Sequence, residues 1–336
     1  MSQKTAIQWC DSTVNPTTGC DGCELWQRQT VRNPEPRRSC YAGPVHEGRL
    51  ARSLPALYAP DFSEVRLAPG RMADAAAWPD LRGKPRPDKP WIDPSLPRLI
   101  FVGDMGDVFS SVVHFHYLRD ELLAAIDSPK GRRHVWLILT KRPSRFAEFA
   151  EWLDSPLPPN LWAGTSITGK ASLPRIDALN QVPAARRFLS VEPLVEPVGL
   201  GGRLAERWQC DRCKYSAPPR SGWGFNPRQG YAVCGTCQAS GYDIVPRTLP
   251  GIDWVIVGGE SGATARPFDV SWARSIRDQC RADGVPFFLK QLGSKPYSPL
   301  GNPMSRRITD SHGGDWSEWP EDLQVREFPS VAESLA

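Results

Sequence analysis

Six short apolar runs recur along the chain, and each is followed by polar or glycine-rich positions. The runs lie within residues 98–109, 134–143, 161–167, 186–195, 252–262 and 286–293, and residues 5–10 are a candidate for an earlier strand. Nearly every position in a run is apolar, which is typical of parallel strands that are covered on both faces. The pattern therefore predicts a parallel sheet.

Stretches of helical periodicity separate several of these runs. Residues 116–128, 144–155 and 271–284 place apolar side chains at helical spacing, and the last stretch begins at a serine cap and ends at Gly284. Alternation of strands and helices is typical of βα units. Six or seven units favour an α/β fold in the form of a partial or complete (β/α) barrel, with an open doubly wound sheet as the alternative.

Two segments interrupt this alternation and suggest how the chain is divided. Residues 44–98 form a Pro-rich, irregular excursion, and residues 200–250 separate two predicted strands as an inserted module. The barrel would then consist of a first part at 1–199 and a last part at 251–293. Residues 294–336 are polar and Pro-rich, so we expect a partly ordered tail there.

The 336-residue chain has a net charge of +4 and a pI near 8.6, a mildly basic balance that permits an anionic partner without requiring one. No run of about 18 apolar residues occurs, and the first residues lack the apolar core of a secretory signal. We therefore expect a cytoplasmic protein with no membrane partner. Nine cysteines in that compartment favour metal binding over disulfides.

Four cysteines in the inserted module have the spacing of a zinc site. Two C-x2-C pairs form two tight turns, and four thiolates complete a closed tetrahedron around one ion. The pairs are Cys210 with Cys213 and Cys234 with Cys237. The sequence predicts a structural Zn²⁺ in a zinc-ribbon-like module, with a rubredoxin-like iron as the alternative. The aromatic and basic residues between the pairs suit contact with nucleic acid, although a module that only shields the barrel mouth fits equally well.

Three further cysteines, Cys20, Cys23 and Cys40, lie together near the start of the chain. Three protein ligands leave one iron of a [4Fe–4S] cluster open, and a loop after the first strand would hold that cluster at the mouth of the barrel. The open iron could bind S-adenosylmethionine through its amino and carboxylate groups. Cys10 is either a fourth ligand, which would close the site, or a buried thiol.

The motifs IQWCDSTVNPTTGC, CYAG, FVGDMGDVF, LILTKRP, LSVEPL, VIVGGESG and FFLKQLG resemble a phage-associated family of unknown function with a three-cysteine motif ending in Cys-Tyr-Ala. The resemblance covers about residues 5–43 and 98–293. Because that family is similar to radical SAM barrel enzymes, the resemblance implies a barrel of radical SAM type in which Cys20, Cys23 and Cys40 match the three cysteines. Their C-x2-C-x16-C spacing differs from the usual C-x3-C-x2-C.

A second resemblance lies at the end of a late strand. Gly258, Gly259 and Glu260 resemble the Gly-Gly-Glu of radical SAM enzymes, which approaches the methionine amino group and therefore implies a cofactor-binding role. A glycine turn that merely ends the strand is the alternative.

Polar residues follow the other apolar runs at the positions where the strands are expected to end. Such groups at the carboxyl ends of barrel strands form active sites. The candidates are Asp104, Lys141, Glu192 and Lys290 for catalysis and Thr165 and Ser166 for cofactor binding, with Asp107, Arg142 and Gln291 beside them.

The leading hypothesis is a radical SAM-type enzyme that generates a 5′-deoxyadenosyl radical and acts on a nucleic acid or nucleotide, such as a base of phage DNA that is modified or repaired. It would need a [4Fe–4S] cluster, S-adenosylmethionine, Zn²⁺ and an electron donor such as flavodoxin or ferredoxin. One alternative is a zinc-dependent hydrolase that uses the three-cysteine site, with Asp104 or Glu192 as base. Another is a nucleic-acid-binding accessory protein with structural metals only.

Overall fold

The computed structural model describes most of the chain, and the description below covers these residues. They are 1–35, 37–200, 203–204, 207–209, 216–217, 223–226, 231–234, 236, 247–249, 251–298 and 308–330.

Seven strands form a parallel sheet that curls into a half-barrel. They are β1 (Ser12–Val14), β2 (Leu99–Val102), β3 (Val135–Thr140), β4 (Leu161–Ser166), β5 (Arg186–Val191), β6 (Trp254–Gly258) and β7 (Phe287–Gln291). Their order in the sheet is their order in the chain. A doubly wound sheet reverses its strand order at one point, so the predicted partial barrel is confirmed and the doubly wound alternative is wrong.

Six of the predicted strands lie where the apolar runs placed them, whereas the first strand is displaced. It was expected at residues 5–10 but begins at Ser12, whose Cα pairs with Ile100 of β2. Two backbone carbonyl groups in residues 5–10 accept hydrogen bonds from side chains. Lys89 donates to Ile7 O at 2.7 Å, and Trp91 donates to Gln8 O at 2.9 Å. These side-chain contacts leave residues 5–10 outside the sheet.

The described chain divides into two compact units, and unit 1 consists of Met1–Ser166, Val182–Arg186 and Ser330–Ala336. It contains β1 to β4, a two-strand antiparallel pair (Thr17–Thr18 with Arg66–Leu67) and a 3₁₀ turn at Gly131–Arg133. Its helices are α1 (Ala42–Val45), α2 (Ala51–Ser53), α3 (Arg71–Ala76), α4 (Phe115–Tyr117), α5 (Ala124–Ile126) and α6 (Pro143–Leu153). The π-helical segments His46–Leu50 and Leu118–Leu123 join α1 to α2 and α4 to α5. The helices predicted at 116–128 and 144–155 are thereby confirmed.

Unit 2 consists of Ile167–Gln181 and Arg187–Pro329. It contains β6, β7 and most of β5, the helices α7 (Pro174–Leu179) and α8 (Val270–Asp283), and a short parallel pair (Phe268–Asp269 with Pro296–Tyr297). Further 3₁₀ turns lie at Lys170–Ser172, Trp316–Glu318 and Glu321–Leu323.

Helix α8 begins two residues earlier than the sequence suggested. The side chain of Asp269 accepts a hydrogen bond from Ser271 N at 2.8 Å, so Asp269 and not Ser271 is the cap. Gly284 ends the helix in the left-handed region, at φ 68°, as predicted. Cys280 lies on the buried face of α8.

The inserted segment contributes antiparallel strands to unit 2. Arg247–Leu249 pairs with Arg207–Gln209, which also pairs with Ser216–Ala217, and Trp223–Asn226 pairs with Tyr231–Cys234. Cys210, Cys213 and Cys237 lie outside the described residues, and Cys234 is described only as the last residue of its strand. The zinc site therefore stays a prediction.

Residues 308–330 fall in the predicted tail, and the part of this segment around residues 325–327 packs along β7. Val325 O accepts from Leu289 N at 2.9 Å, and Glu327 N donates to Phe287 O at 3.0 Å. Trp319 and Leu323 of this segment are buried. Within the described part of the chain, every helix is too short or too polar to cross a membrane.

Candidate functional site

The loop that carries the three N-terminal cysteines, residues 19–43, is called the thiol loop here. Its first residue lies against the turn that follows β2, because Gly19 N donates to Met105 O at 3.3 Å. Gly19 has a φ of +80°, and an added Cβ would lie 2.2 Å from Glu64 O, so only glycine fits. Cys20 N in turn donates to Phe62 O at 2.8 Å. The loop is thus attached to the rest of unit 1 directly beside its first cysteine.

A small antiparallel hairpin occupies the long spacing between Cys23 and Cys40. Cys23 and Trp26 exchange backbone hydrogen bonds of 2.7 and 3.2 Å, and Trp26 forms an antiparallel bridge with Arg38. Leu25 O then accepts from Cys40 N at 3.0 Å. The hairpin therefore returns the chain to its starting point, and Cys40 lies at its base with Cys23.

Each of the three sulfur atoms has a backbone N–H group as a neighbour. Such donors stabilise a thiolate more than a thiol, since the charged form is the better acceptor. The donors are Gly22 for Cys20, Leu25 (N to Sγ 3.4 Å) for Cys23, and Ala42 and Gly43 for Cys40. The backbone of the thiol loop is therefore arranged around three sulfurs that can carry negative charge.

Burial opposes that charge, and two cations counter it. Burial raises the pKa of Cys20 to about 12, with the Asp107 carboxylate adding to the rise and Arg142 acting against it. Burial also raises the pKa of Cys40, whereas Lys141 lowers it. The thiols of Cys20 and Cys40 are therefore protonated at neutral pH in the free protein, and a ligand that binds their thiolates would release protons.

Arg142, directly after β3, joins the thiol loop to the strand ends. Its guanidinium forms ion pairs with Asp21 and with Asp107, the latter at 3.0 Å, and donates to Gly22 O at 2.7 Å. Its charge also opposes the rise in the pKa of Cys20. Although burial disfavours its charge, the Asp107 and Asp21 carboxylates raise the pKa of Arg142. The charge is therefore held beside Cys20.

Asp107 anchors this network from the loop after β2. The buried carboxylate accepts from Thr140 Oγ1 at 2.7 Å, from Lys141 N at 3.0 Å and from Arg142. Asp21 is held in a similar way, because Ser111 donates to it through both N and Oγ, at 2.7 and 2.6 Å. Every oxygen of this pair of carboxylates is thus engaged in positioning backbone or arginine.

Asp104 follows the same strand but has a different environment. Asn15 Nδ2 donates to its carboxylate at 2.6 Å, and Tyr41 Oη donates to its carbonyl at 2.5 Å. Burial raises the pKa of Asp104, while the Asn15 hydrogen bond and the N-terminal ammonium lower it. A raised pKa makes this carboxyl group suited to gain and lose a proton.

The other predicted site residues of unit 1 differ in whether their polar groups could contact a ligand. Lys141 Nζ is partly buried and has no ion-pair or hydrogen-bond partner within the described chain, so its charge can meet an anionic ligand. Thr165 Oγ1 donates to Thr140 O at 2.8 Å, so its hydroxyl serves cross-strand pairing. Ser166 is buried at the end of β4.

Unit 2 has an ion pair at its own strand ends. Lys290 Nζ of β7 lies 3.1 Å from Glu192 Oε1, which follows β5, and Ser190 donates to the other carboxylate oxygen at 3.2 Å. Between them on β6 lies Gly258, where an added Cβ would stand 2.2 Å from Glu192 Oε1. The glycine therefore leaves the space in which the carboxylate lies.

The Gly-Gly-Glu segment of unit 2 packs tightly. An added Cβ at Gly259 would lie 2.2 Å from Leu292 O. Glu260 is paired with Arg266 through two hydrogen bonds of 2.8 and 3.1 Å. Despite burial, these bonds hold the pKa of Glu260 below its ordinary value. A cationic ligand of Glu260 would have to compete with Arg266.

Sequence reasoning missed Asp21, Asn15 and Arg266 as members of these networks. Asp21 lies between two cysteines, and that position was the available signal. Asn15 and Arg266 carry no local signal, since their partners Asp104 and Glu260 are fixed by the fold. Across the described ranges, no group of three or more His, Cys, Asp or Glu side chains is arranged to hold a metal ion.

A family model described as protein of unknown function, DUF5131, matches residues 4–320. No curated protein and no solved structure matches the chain.

Proposed function

The chain belongs to this family of unknown function, and on the geometry of its thiol loop we propose that it is an iron–sulfur enzyme of the radical SAM type. Cys20, Cys23 and Cys40 would hold a [4Fe–4S] cluster. The observation that carries the proposal is the base of the hairpin, where Leu25 N lies 3.4 Å from Cys23 Sγ and Leu25 O accepts from Cys40 N at 3.0 Å. Three thiolates supplied in this way, beside the carboxyl ends of parallel strands, suit a cluster with one iron free of protein.

The hairpin supports the proposal despite the unusual cysteine spacing. Because Leu25 O binds Cys40 N at the hairpin base, the intervening residues add length without separating Cys40 from Cys23. The C-x2-C-x16-C spacing is therefore compatible with three ligands of one cluster.

A cluster is favoured over a single zinc ion at this site. Sulfurs that share one Zn²⁺ at about 2.3 Å each lie within about 4 Å of one another. A cluster bonds each thiolate to a different iron and so accepts wider spacing, which makes the zinc-dependent hydrolase the weaker candidate.

When bound, such a cluster supplies the electron that cleaves S-adenosylmethionine to a 5′-deoxyadenosyl radical. The residues of this chain would place and neutralise the charged groups around it. Arg142 would balance thiolate charge at Cys20, and Lys141 would do so at Cys40 or hold an anionic group of a ligand. Asp104 would transfer a proton within unit 1.

Unit 2 would contribute its own binding groups. The Glu192–Lys290 pair offers one anionic and one cationic group at the strand ends. Gly258, which has no side chain, leaves room for the Glu192 carboxylate beside the backbone of β6. We propose a nucleic acid or nucleotide as the substrate class, Zn²⁺ in the four-cysteine module, and flavodoxin or ferredoxin as the electron donor.

The test is anaerobic reconstitution of the full chain with iron and sulfide. We expect broad visible absorbance, iron and acid-labile sulfide in the protein, and 5′-deoxyadenosine after addition of dithionite and S-adenosylmethionine. Cys20→Ala, Cys23→Ala and Cys40→Ala should each abolish both the labile sulfide and the nucleoside product. Cys280→Ala is the matched control, since that thiol is buried in α8 and should leave both unchanged.

Two outcomes would contradict the proposal. Zinc bound by the three N-terminal cysteines, with no labile sulfide, would favour the hydrolase. A reconstituted cluster that survives Cys23→Ala would show that other cysteines hold it, in which case the thiol loop has another role.

A further inference from the structure

The hairpin of the thiol loop carries most of the excess positive charge of the chain. Residues 27–38 contain four arginines and one glutamate, a net charge of +3, whereas the whole chain has +4. The described residues of this hairpin, 27–35 and 37–38, are called the arginine arm here. It comprises Arg28, Arg32, Arg37 and Arg38 and contains no lysine.

The arginine arm is a narrow two-stranded ribbon. Gln27 N donates to Arg37 O at 2.9 Å, and Thr30 and Asn33 exchange hydrogen bonds of 3.1 and 3.0 Å around the tip. Val31 at the tip is fully exposed, at 101%. Such a ribbon is a protruding element and not a covering of the core.

The base of the arginine arm is fixed, whereas its charges are largely free. Arg38 lies 4.8 Å from the centre of the buried Trp26 ring and pairs with Glu47 at 3.1 Å. Arg37 contacts only a backbone carbonyl, at 3.4 Å. Arg28 and Arg32 have neither an ion pair nor a hydrogen bond to any residue described. Within the described part of the chain, these three guanidinium groups therefore have no carboxylate partner.

We propose that the arginine arm binds the phosphate backbone of a nucleic acid. The planar guanidinium donates two parallel hydrogen bonds to a phosphate, which a lysine ammonium cannot do. This inference specifies the substrate class of the proposed function. It rests on the proposed function only because the arginine arm shares its base with Cys23 and Cys40.

The test measures DNA binding by the full chain with fluorescence anisotropy, using a 20-base-pair duplex at several salt concentrations. Arg28→Ala/Arg32→Ala/Arg37→Ala should weaken binding at least ten-fold. It should also reduce the slope of log K against log salt by about 2 to 3, because each lost phosphate contact removes about 0.9. A matched triple variant, Arg82→Ala/Arg119→Ala/Arg132→Ala, removes the same charge from exposed ion pairs and should leave the slope unchanged.

The inference is overturned if both triple variants weaken binding equally, or if the unaltered chain does not bind the duplex. It is also overturned if the arm variant binds DNA normally but loses reduction by flavodoxin, since the arm would then dock an acidic protein. Repeating the binding with Cys23→Ala separates the two proposals. DNA binding retained without a cluster supports the arm even where the radical SAM assignment fails.

Discussion

Single side chains in unit 1 decide how the thiol loop is held. Arg142 bonds to Asp21 within the loop and to Asp107 after β2, so one guanidinium connects two distant parts of the sequence. A lysine could not make both contacts together with the one to Gly22 O, because its ammonium is a point donor without the planar fork. The position therefore depends on arginine geometry as well as on charge.

Buried histidines in the same unit give the fold a dependence on acid. His134 is fully buried, and its Nε2 lies 3.2 Å from Ala76 O. Its Nδ1 has no hydrogen-bond partner among the residues that the structure describes. Burial, aided by the charges of Arg133 and Arg98, lowers the pKa of His134 from its ordinary 6.5 to about 4. The folded protein therefore keeps this ring neutral at pH values where the unfolded chain is protonated.

We predict that stability is lost as the pH falls through this window. A lowered pKa in the folded state contributes stability that is complete above pH 6.5 and disappears as the pH approaches 4. The loss attributable to His134 amounts to roughly 3 kcal/mol. Urea unfolding at pH 7.5, 5.5 and 4.5 measures it, and His134→Gln, which keeps the donor to Ala76 O, should flatten the profile. An equal flattening by the exposed His114→Gln would contradict the assignment to His134.

Sequence reasoning found the positions of the site residues but not their partners. Asp104, Lys141 and Lys290 could be predicted, because the carboxyl ends of parallel strands meet at one edge and polar residues follow each apolar run. The pairing of Glu260 with Arg266 and of Thr165 with the Thr140 carbonyl depends on rotamers and strand register. Neither is encoded in local spacing.

At the scale of elements, the helical stretch after Cys40 is fitted to the thiol loop. Gly43 lies on α1 against Trp26, and an added Cβ would stand 2.1 Å from the indole ring. Gly48, in the π-helical segment that follows, has nothing within 4 Å of its added Cβ. Two glycines five residues apart therefore have opposite structural roles.

We predict opposite effects of alanine at these two glycines. Gly43→Ala should lower the free energy of unfolding by about 1 to 3 kcal/mol, because the buried Trp26 ring cannot yield without disturbing the hairpin base. Gly48→Ala should raise it by about 0.5 to 1 kcal/mol, since alanine loses less backbone entropy in a helical segment. Urea unfolding of both variants measures the difference, and a stabilising Gly43→Ala would refute the contact.

The strands could be predicted from the sequence where the sheet buries their side chains. The strands from β2 to β7 are apolar runs that the sheet buries, so composition alone located them. The first strand is only three residues long, and the preceding TAIQWC is more apolar than STV. Distant side chains contribute to its position, because Lys89 and Trp91 donate hydrogen bonds to the carbonyl groups of Ile7 and Gln8. A local pattern cannot contain such a contact.

At the scale of the molecule, the C-terminal segment illustrates the limit of composition. It is polar and Pro-rich, which favoured a partly ordered tail, yet Arg326 is buried among three aromatic rings. Arg326 also donates to the Leu289 and Lys290 carbonyls at 3.2 and 3.1 Å. A charged residue of a polar segment can be buried in such a position, because aromatic faces and carbonyl groups replace the water around its guanidinium.

This packing predicts that unit 2 needs its C-terminal segment. β7 is the last strand of the sheet, and residues 325–327 satisfy part of its outer edge. A chain ending at Ser298 would leave that edge bare and expose Trp254, whose Nε1 donates to Glu327 O at 2.8 Å. We expect the midpoint of thermal unfolding to fall by about 10 °C or more, together with aggregation through the free edge.

A shorter truncation makes the test specific. A chain ending at Ser330 keeps every contact named above and should unfold at the same temperature as the full chain in a calorimeter. Arg326→Met, which preserves the apolar stem but removes the donors to the β7 carbonyls, should fall between the two, with a loss of about 2 kcal/mol. If removal of residues 299–336 left the thermal midpoint unchanged, the segment would be an appendage, and the end of β7 that carries Lys290 would be held by other contacts.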